Sequence, residues 1–157
     1  MAVIALQGFR GGTGTTSVTA ALAWGLAQLN EKVLVIDFSP ENVLRLHFGM
    51  PFAQARGWCC AHKAGEAWQK SAMRYHARLD FLPYGHVSGE DVSEADFDWQ
   101  KALTQLKNTG VYDWILIDSP AADPLPAQSL ADSTVVLLHA DTQSHLRLHQ
   151  HALAPNG

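Results

Sequence analysis

The sequence predicts an α/β domain in which a mostly parallel β-sheet is flanked by helices. Short apolar runs alternate with segments of helical periodicity, the pattern of βαβ units. Two of these runs, Val33–Ile36 and Ile115–Ile117, are apolar without interruption, as is typical of strands covered on both faces. With 157 residues, the chain is long enough for one domain with a substantial core.

Apolar runs and helical spacing place the individual elements. The predicted strands are Val3–Leu6, Val33–Ile36, Leu79–Leu82, Trp114–Ile117 and Thr134–Leu138. The predicted helices are Thr15–Leu29, Trp58–Tyr75, Phe97–Lys107 and Ser144–Leu153. Residues 83–96 are predicted to be a surface loop, and three prolines mark a second loop: Pro120, Pro124 and Pro126. No further strand follows the last helix, so we expect residues 1–157 to be the N-terminal portion of a longer single domain.

Composition argues against several classes of function. The chain is 47% hydrophobic and 17% charged, with a net charge of −4, which indicates a globular protein without the basic stripe of nucleic-acid binders. No apolar stretch approaches the roughly 20 residues that span a bilayer, and no signal-peptide pattern opens the chain. The two cysteines, Cys59 and Cys60, are adjacent and lack the spacing of a metal site. The five tryptophans are interpreted as core or lid residues: Trp24, Trp58, Trp68, Trp99 and Trp114.

A glycine-rich segment follows the first predicted strand and opens the first predicted helix. Residues 8–17 read GFRGGTGTTS, and this order of strand, turn and helix directs backbone N–H groups at an anion. The standard phosphate-binding loop is G-x-x-x-x-G-K-[ST]. Here Thr15 stands at the lysine position, whereas Thr16 keeps the hydroxyl expected to meet Mg²⁺. The predicted nucleotide-binding residues are Arg10, Gly11, Gly12, Thr13, Gly14, Thr15, Thr16 and Ser17.

Two aspartates end predicted strands on the same edge of the sheet. Asp118 follows Trp114–Ile117, and Asp37 follows Val33–Ile36. A carboxylate in this place can hold Mg²⁺ in phosphoryl-transfer sites, so the predicted metal residues are Thr16, Asp37 and Asp118. Each aspartate has a simpler alternative: Asp118 could cap the following turn, and Asp37 could form an Asx turn before Pro40.

Basic and imidazole side chains supply further candidates. Arg10 could contact phosphates in its own subunit or across a dimer, or it could be a solvated loop residue. His145 and His149 are spaced to share a helix face, with His139 and His151 nearby, but a solvated or interface face is favoured over a metal site. Arg147 on the same helix could approach a partner or a nucleotide.

Residues 10–16 resemble the deviant Walker A motif of the MinD/ParA ATPases, K-G-G-x-G-K-[ST]. The switch I pattern D-x-D-P matches residues 37–40, DFSP, and the switch II pattern D-x-P matches residues 118–120, DSP. The resemblance implies that Arg10 reaches the nucleotide of a partner subunit across an ATP-sandwiched homodimer. Two departures, Thr15 for lysine and Ser39 for the second switch I carboxylate, indicate weak or no hydrolysis.

Residues 1–16, 19–24 and 146–150 look like the BcsQ subfamily of cellulose-biosynthesis proteins. That resemblance implies an ATP- and Mg²⁺-binding regulatory subunit of the bacterial cellulose synthesis and secretion complex. It would be cytoplasmic and recruited to the inner membrane through partners, a small regulatory protein and the membrane synthase among them, with Arg147 supporting the dimer. The alternative is a slow cycling ATPase that positions the secretion machinery at a cell pole; a DNA-partitioning ATPase is disfavoured by the negative charge.

Overall fold

A six-stranded sheet organises the chain. The computed structural model describes residues 1–8, 14–86, 97–121 and 125–138. The strands are β1 Ala2–Gly8, β2 Val33–Asp37, β3 Met73–His76, β4 Leu79–Leu82, β5 Trp114–Ser119 and β6 Ser133–Leu137. Their order across the sheet is β3-β4-β2-β5-β1-β6. Every neighbouring pair is parallel except β3 and β4, which form an antiparallel hairpin at one edge.

Helices connect the strands. They are α1 Thr15–Gln28, α2 Leu44–His47, α3 Trp58–Lys63, α4 Trp99–Thr109 and α5 Leu125–Leu130, with a 3₁₀ helix over Trp68–Ser71. The predicted α/β class is therefore confirmed, and the five predicted strands lie within two residues of the observed bounds. In the described segments, no helix is both long and apolar enough to cross a membrane.

The two faces of the sheet carry different cores. One face packs against α1 through small and aliphatic side chains, among them Ala20, Ala23 and Ala27. The other face carries an aromatic cluster, defined here as Phe38, Trp58, Trp68, Tyr84, Phe97 and Trp99. This cluster lies beside the carboxyl end of β2, because Phe38 directly follows that strand.

The predicted helix Trp58–Tyr75 is wrong beyond its first turns. Helix α3 ends at Lys63, and Gly65 follows with φ 72°, the left-handed conformation in which helices commonly terminate. The chain then forms the 3₁₀ helix and enters β3, whose residues pair with β4 across a short turn. A 3₁₀ helix and the start of β3 thus replace the second half of the predicted helix.

Three further predictions need correction. Pro83, Tyr84 and Gly85 are buried instead of lying in a surface loop. Pro126 lies inside α5, at its N-terminal end, where a proline is tolerated. Trp24 is 42% exposed and packs edge-on against the rings of Tyr75 and His76. The predicted helix Ser144–Leu153 lies outside the described residues.

Candidate nucleotide and metal site

The connection from β1 to α1 has the expected ends. Strand β1 finishes at Gly8, and α1 begins at Thr15 directly after Gly14, whose φ is 74°. Gly14 has no side chain that could cap the helix, and the N-terminus of α1 carries the partial positive charge of a helix start. Thr15 and Thr16 are half-buried and Ser17 is exposed in this first turn. Four predicted residues, Arg10, Gly11, Gly12 and Thr13, lie outside the described residues.

Thr16 and Asp118 meet at this helix end. The Thr16 hydroxyl donates a hydrogen bond of 2.8 Å to Oδ2 of Asp118. Asp118 is only 2% exposed, and burial raises its pKa to about 6, although the hydrogen bond from Thr16 opposes the shift. The carboxylate therefore points toward the first turn of α1 and does not merely cap the turn after β5.

Asp37 lies beside Asp118 on the neighbouring strand. The two residues are register partners in the parallel pair of β2 and β5, and Asp37 is completely buried. Its Oδ1 accepts a hydrogen bond of 2.9 Å from the Ser39 N–H, which is the Asx turn that the sequence left open. Among the described residues, its Oδ2 has no hydrogen-bond partner. Burial, reinforced by the charge of Asp118, raises the pKa of Asp37 well above its usual range.

Two buried carboxylates with raised pKa values need a cation or a proton. Magnesium is commonly held by one or two carboxylates together with the phosphates of a substrate. Across the described residues, no three His, Cys, Asp or Glu side chains are grouped to hold a metal by themselves. The unpartnered Asp37 oxygen, Asp118 and the Thr16 hydroxyl therefore fit a Mg²⁺ that arrives with a nucleotide.

Some functional candidates were not found by sequence reasoning. Glu41 raises the pKa values of both Asp37 and Asp118 by its charge, and its position four residues after Asp37 could have indicated it. Trp58 donates a hydrogen bond of 2.8 Å from its indole Nε1 to the Asp37 carbonyl, a contact for which the sequence offers no signal. The predicted residues Arg147, His139, His145, His149 and His151 lie outside the described residues.

The strand order and the flanking helices give this chain the fold of the MinD/ParA-type P-loop NTPases. A chain of the MinC:MinD cell division protein complex from Aquifex aeolicus aligns with a TM-score of 0.76 and 26% identity, covering 94% of this chain and 60% of that one. Cobyrinic acid a,c-diamide synthase from Mycobacterium smegmatis, solved with an ATP analogue and magnesium, aligns with a TM-score of 0.77 and 20% identity, covering 97% of this chain and 65% of that one.

The family follows from the sequence comparison. The family model described as "Cellulose biosynthesis protein BcsQ" matches residues 1–157, and the chain belongs to this family. Cellulose biosynthesis protein BcsQ of Escherichia coli K12 is 46% identical over 167 aligned residues, which cover 100% of this chain. The match spans 66% of that relative's length.

Proposed function

We propose that this chain is an ATP- and Mg²⁺-binding regulatory subunit of a bacterial cellulose synthesis and secretion complex. The observation that carries the proposal is the contact between the Thr16 hydroxyl and Asp118, beside the unpartnered Asp37 carboxylate oxygen. A hydroxyl at a helix start and a carboxylate at a strand end are the protein groups that hold Mg²⁺ on a bound phosphate chain. Thr16 at the start of α1 and Asp118 in β5 supply these two groups.

The site favours holding ATP over consuming it. Thr15 provides no cation where phosphate-binding loops usually have lysine, and Ser39 provides no second switch I carboxylate. Loss of one charge-stabilising group in phosphoryl transfer can cost roughly 10³-fold in rate. Binding depends less on these groups because the helix N-terminus and Mg²⁺ still face the phosphates.

The bound nucleotide would act as an assembly ligand. Arg10 and Arg147 are proposed to stabilise an ATP-sandwiched homodimer, since guanidinium groups bind phosphate oxygens bidentately. The relatives' name supports partners within cellulose biosynthesis, and we propose a small regulatory protein and the membrane synthase complex as those partners. The protein would be cytoplasmic and would be recruited to the inner membrane through these partners. We propose no nucleic-acid partner.

Calorimetry with ATP tests nucleotide binding. The unsubstituted chain should bind ATP in the presence of Mg²⁺ and much more weakly in EDTA. Thr16→Val should weaken Mg²⁺-dependent binding by roughly tenfold, the loss of one charge-assisted interaction. Thr104→Val is the matched control because the Thr104 hydroxyl is exposed and donates to the Gln100 carbonyl of its own helix, away from the site. Equal ATP binding with and without Mg²⁺ by all three proteins would contradict the proposed site.

A phosphate-release assay separates the regulatory reading from the enzyme alternative. We expect the protein, alone or with its membrane partners, to hydrolyse ATP too slowly to drive a nucleotide cycle. Sustained turnover of about 1 s⁻¹, abolished by Asp118→Ala, would instead establish the slow cycling ATPase that positions the secretion machinery at a cell pole.

A further inference from the structure

We propose that Trp58 is a positioning residue. It fixes the main chain at the end of β2 and thereby places the Asp37 carboxylate where it can bind Mg²⁺ together with Asp118. The inference rests on the proposed function and adds a residue to its site. Trp58 lies on α3, 21 residues from Asp37 in the chain, and its indole bonds the main chain of Asp37 and not the side-chain carboxylate. It would act through the backbone of Asp37.

The direct link is a buried hydrogen bond. The indole Nε1 of Trp58 donates to the main-chain carbonyl of Asp37 at 2.8 Å, and Trp58 is only 2% exposed. A buried hydrogen bond of this kind resists displacement, because breaking it leaves a polar group without water to replace the partner. The carbonyl of Asp37 is thereby fixed to the start of α3.

Trp58 is itself held rigidly. Its backbone N–H donates to the Pro83 carbonyl at 3.0 Å, and its ring packs edge-on at 4.9 Å against both Tyr84 and Trp99. The preceding residue, Gly57, approaches Gly85 so closely that a Cβ on Gly57 would lie 2.1 Å from the Gly85 nitrogen. The backbone at the start of α3 is therefore in close contact with the backbone of the segment that follows β4.

The loop after Asp37 is tied to the same framework. The Phe38 ring lies 6.1 Å from the Trp58 ring and 4.9 Å from the Trp99 ring. Beyond it, Oδ1 of Asn42 accepts a hydrogen bond of 3.1 Å from the Gly85 N–H. Both ends of residues 38–42 are thus fixed to the elements that hold Trp58.

This arrangement matters because the Asp37 side chain is only partly anchored. Oδ1 is committed to the Ser39 N–H, whereas Oδ2 has no partner in the described part of the chain. The Leu44 backbone also interacts with this carboxylate, so the position of the free oxygen follows the backbone of residues 37–44. A backbone shift of about 1 Å would move it out of contact with a cation, since misplacement on this scale can cost roughly a hundredfold in a positioned site.

Trp58→Phe tests the inference with Trp99→Phe as the matched control. Both substitutions remove an indole from the aromatic cluster, but only the first removes the hydrogen bond to Asp37. We expect Trp58→Phe to raise by roughly tenfold the Mg²⁺ concentration needed for half-maximal tight ATP binding. Trp99→Phe should change it less than about twofold, and both variants should bind ATP equally in EDTA. Equal Mg²⁺ requirements for the two variants would overturn the inference.

A spectroscopic measurement keeps the test decisive if Trp58→Phe fails to fold. With 5-fluorotryptophan in the unsubstituted chain, the ¹⁹F signal of Trp58 is assigned by eliminating the other four with single Trp→Phe variants. Its chemical shift should change when Mg²⁺ is added to the ATP-bound protein, because the cation alters the electric field at a ring bonded to Asp37 without displacing that ring, while the Trp24 shift should not change. An unchanged Trp58 chemical shift in a protein that binds Mg²⁺ and ATP would defeat only the role of Trp58. Failure of the unsubstituted chain to bind them would defeat the proposed function and, with it, this inference.

Discussion

The two strand ends that carry the acidic residues are held in different ways. Asp118, at the end of β5, is held through its side chain by the Thr16 hydroxyl. Asp37, at the end of β2, is held through its main chain by the indole of Trp58, and one of its side-chain oxygens is unpartnered within the described structure. A side-chain contact can be exchanged for a metal ion, whereas a main-chain contact persists. We infer that α1 supplies the adjustable half of the site and the aromatic cluster supplies the fixed half.

Gly57→Ala should have the largest effect on stability, because it disrupts the contact between the start of α3 and the segment after β4. A Cβ at Gly57 would lie 2.1 Å from the Gly85 nitrogen and 2.3 Å from its Cα, and backbone atoms cannot move aside as a flexible side chain can. We expect a loss of about 3 kcal/mol or more in the free energy of unfolding, as for severe overpacking. Urea denaturation followed by circular dichroism measures it.

The control for Gly57→Ala is a glycine in open space. Gly25 lies within α1, and nothing among the described residues approaches a Cβ at that position within 4 Å. Gly25→Ala should stabilise the protein by about 0.5–1 kcal/mol, the ordinary difference between these residues in a helix. If the two variants unfold at the same urea concentration, the contact between Gly57 and Gly85 does not contribute as described.

Asp118→Asn should weaken Mg²⁺ binding on the α1 side of the site without unfolding the chain. The Mg²⁺-dependent part of ATP affinity should fall by about a hundredfold, at the upper end for one charged interaction. Stability without ligands at pH 7.5 should be equal or higher, because one of two neighbouring buried charges is removed. Calorimetry and thermal melting measure the two effects. A variant that binds Mg²⁺ and ATP normally would exclude Asp118 from the metal site.

The pH dependence should have opposite signs for folding and for metal binding. Burial raises the pKa of Asp118 to about 6, above its unfolded value near 4. Between these values the folded chain binds more protons than the unfolded chain, so the contribution of Asp118 to stability is lost as pH rises from about 4 to about 6. Mg²⁺ affinity should rise over the same interval, because the cation competes with that proton.

Asp118→Asn supplies the comparison for both curves. Its stability without ligands should fall less steeply with pH than that of the unsubstituted chain, as judged by urea midpoints at each pH. Parallel curves for the two proteins would show that Asp118 does not titrate in this interval.

The sequence predicted the sheet and the convergence of its polar strand ends. Continuous apolar runs indicate buried parallel strands, and βαβ order predicts that Asp37 and Asp118 lie on the same edge of the sheet. That β2 and β5 are neighbours, which makes the two residues register partners, is known only from the structure. Whether these residues bind Mg²⁺ and nucleotide stays a prediction, as it does for the glycine loop. The hairpin at β3 was missed because Met73–His76 is short and because the predicted helix ran through Gly65, the left-handed residue just after the end of α3.

The packing of α1 shows a second limit of periodicity. Helical spacing in the predicted helix Thr15–Leu29 puts Val18, Leu22 and Leu29 on one apolar stripe, which predicts that they are buried, yet these residues are exposed. The face that packs on the sheet is built from Thr19, Ala20, Ala23 and Ala27, since small side chains let the helix lie close to the strands. The indole contact from Trp58 to Asp37 joins elements that no local pattern relates.

The most direct test of the central claim counts metal ions bound with the nucleotide. Mn²⁺ can stand in for Mg²⁺, and electron paramagnetic resonance measures how much of it is bound in the presence of ATP. We expect one Mn²⁺ per chain, with binding strongly weakened in Asp118→Asn and Asp37→Asn. Asp80→Asn should leave it unchanged, because Asp80 bonds Arg74 and Tyr112 elsewhere in the sheet. Absence of ATP-dependent Mn²⁺ binding, or binding equal in all three variants, would contradict a metal site built from these two strand ends.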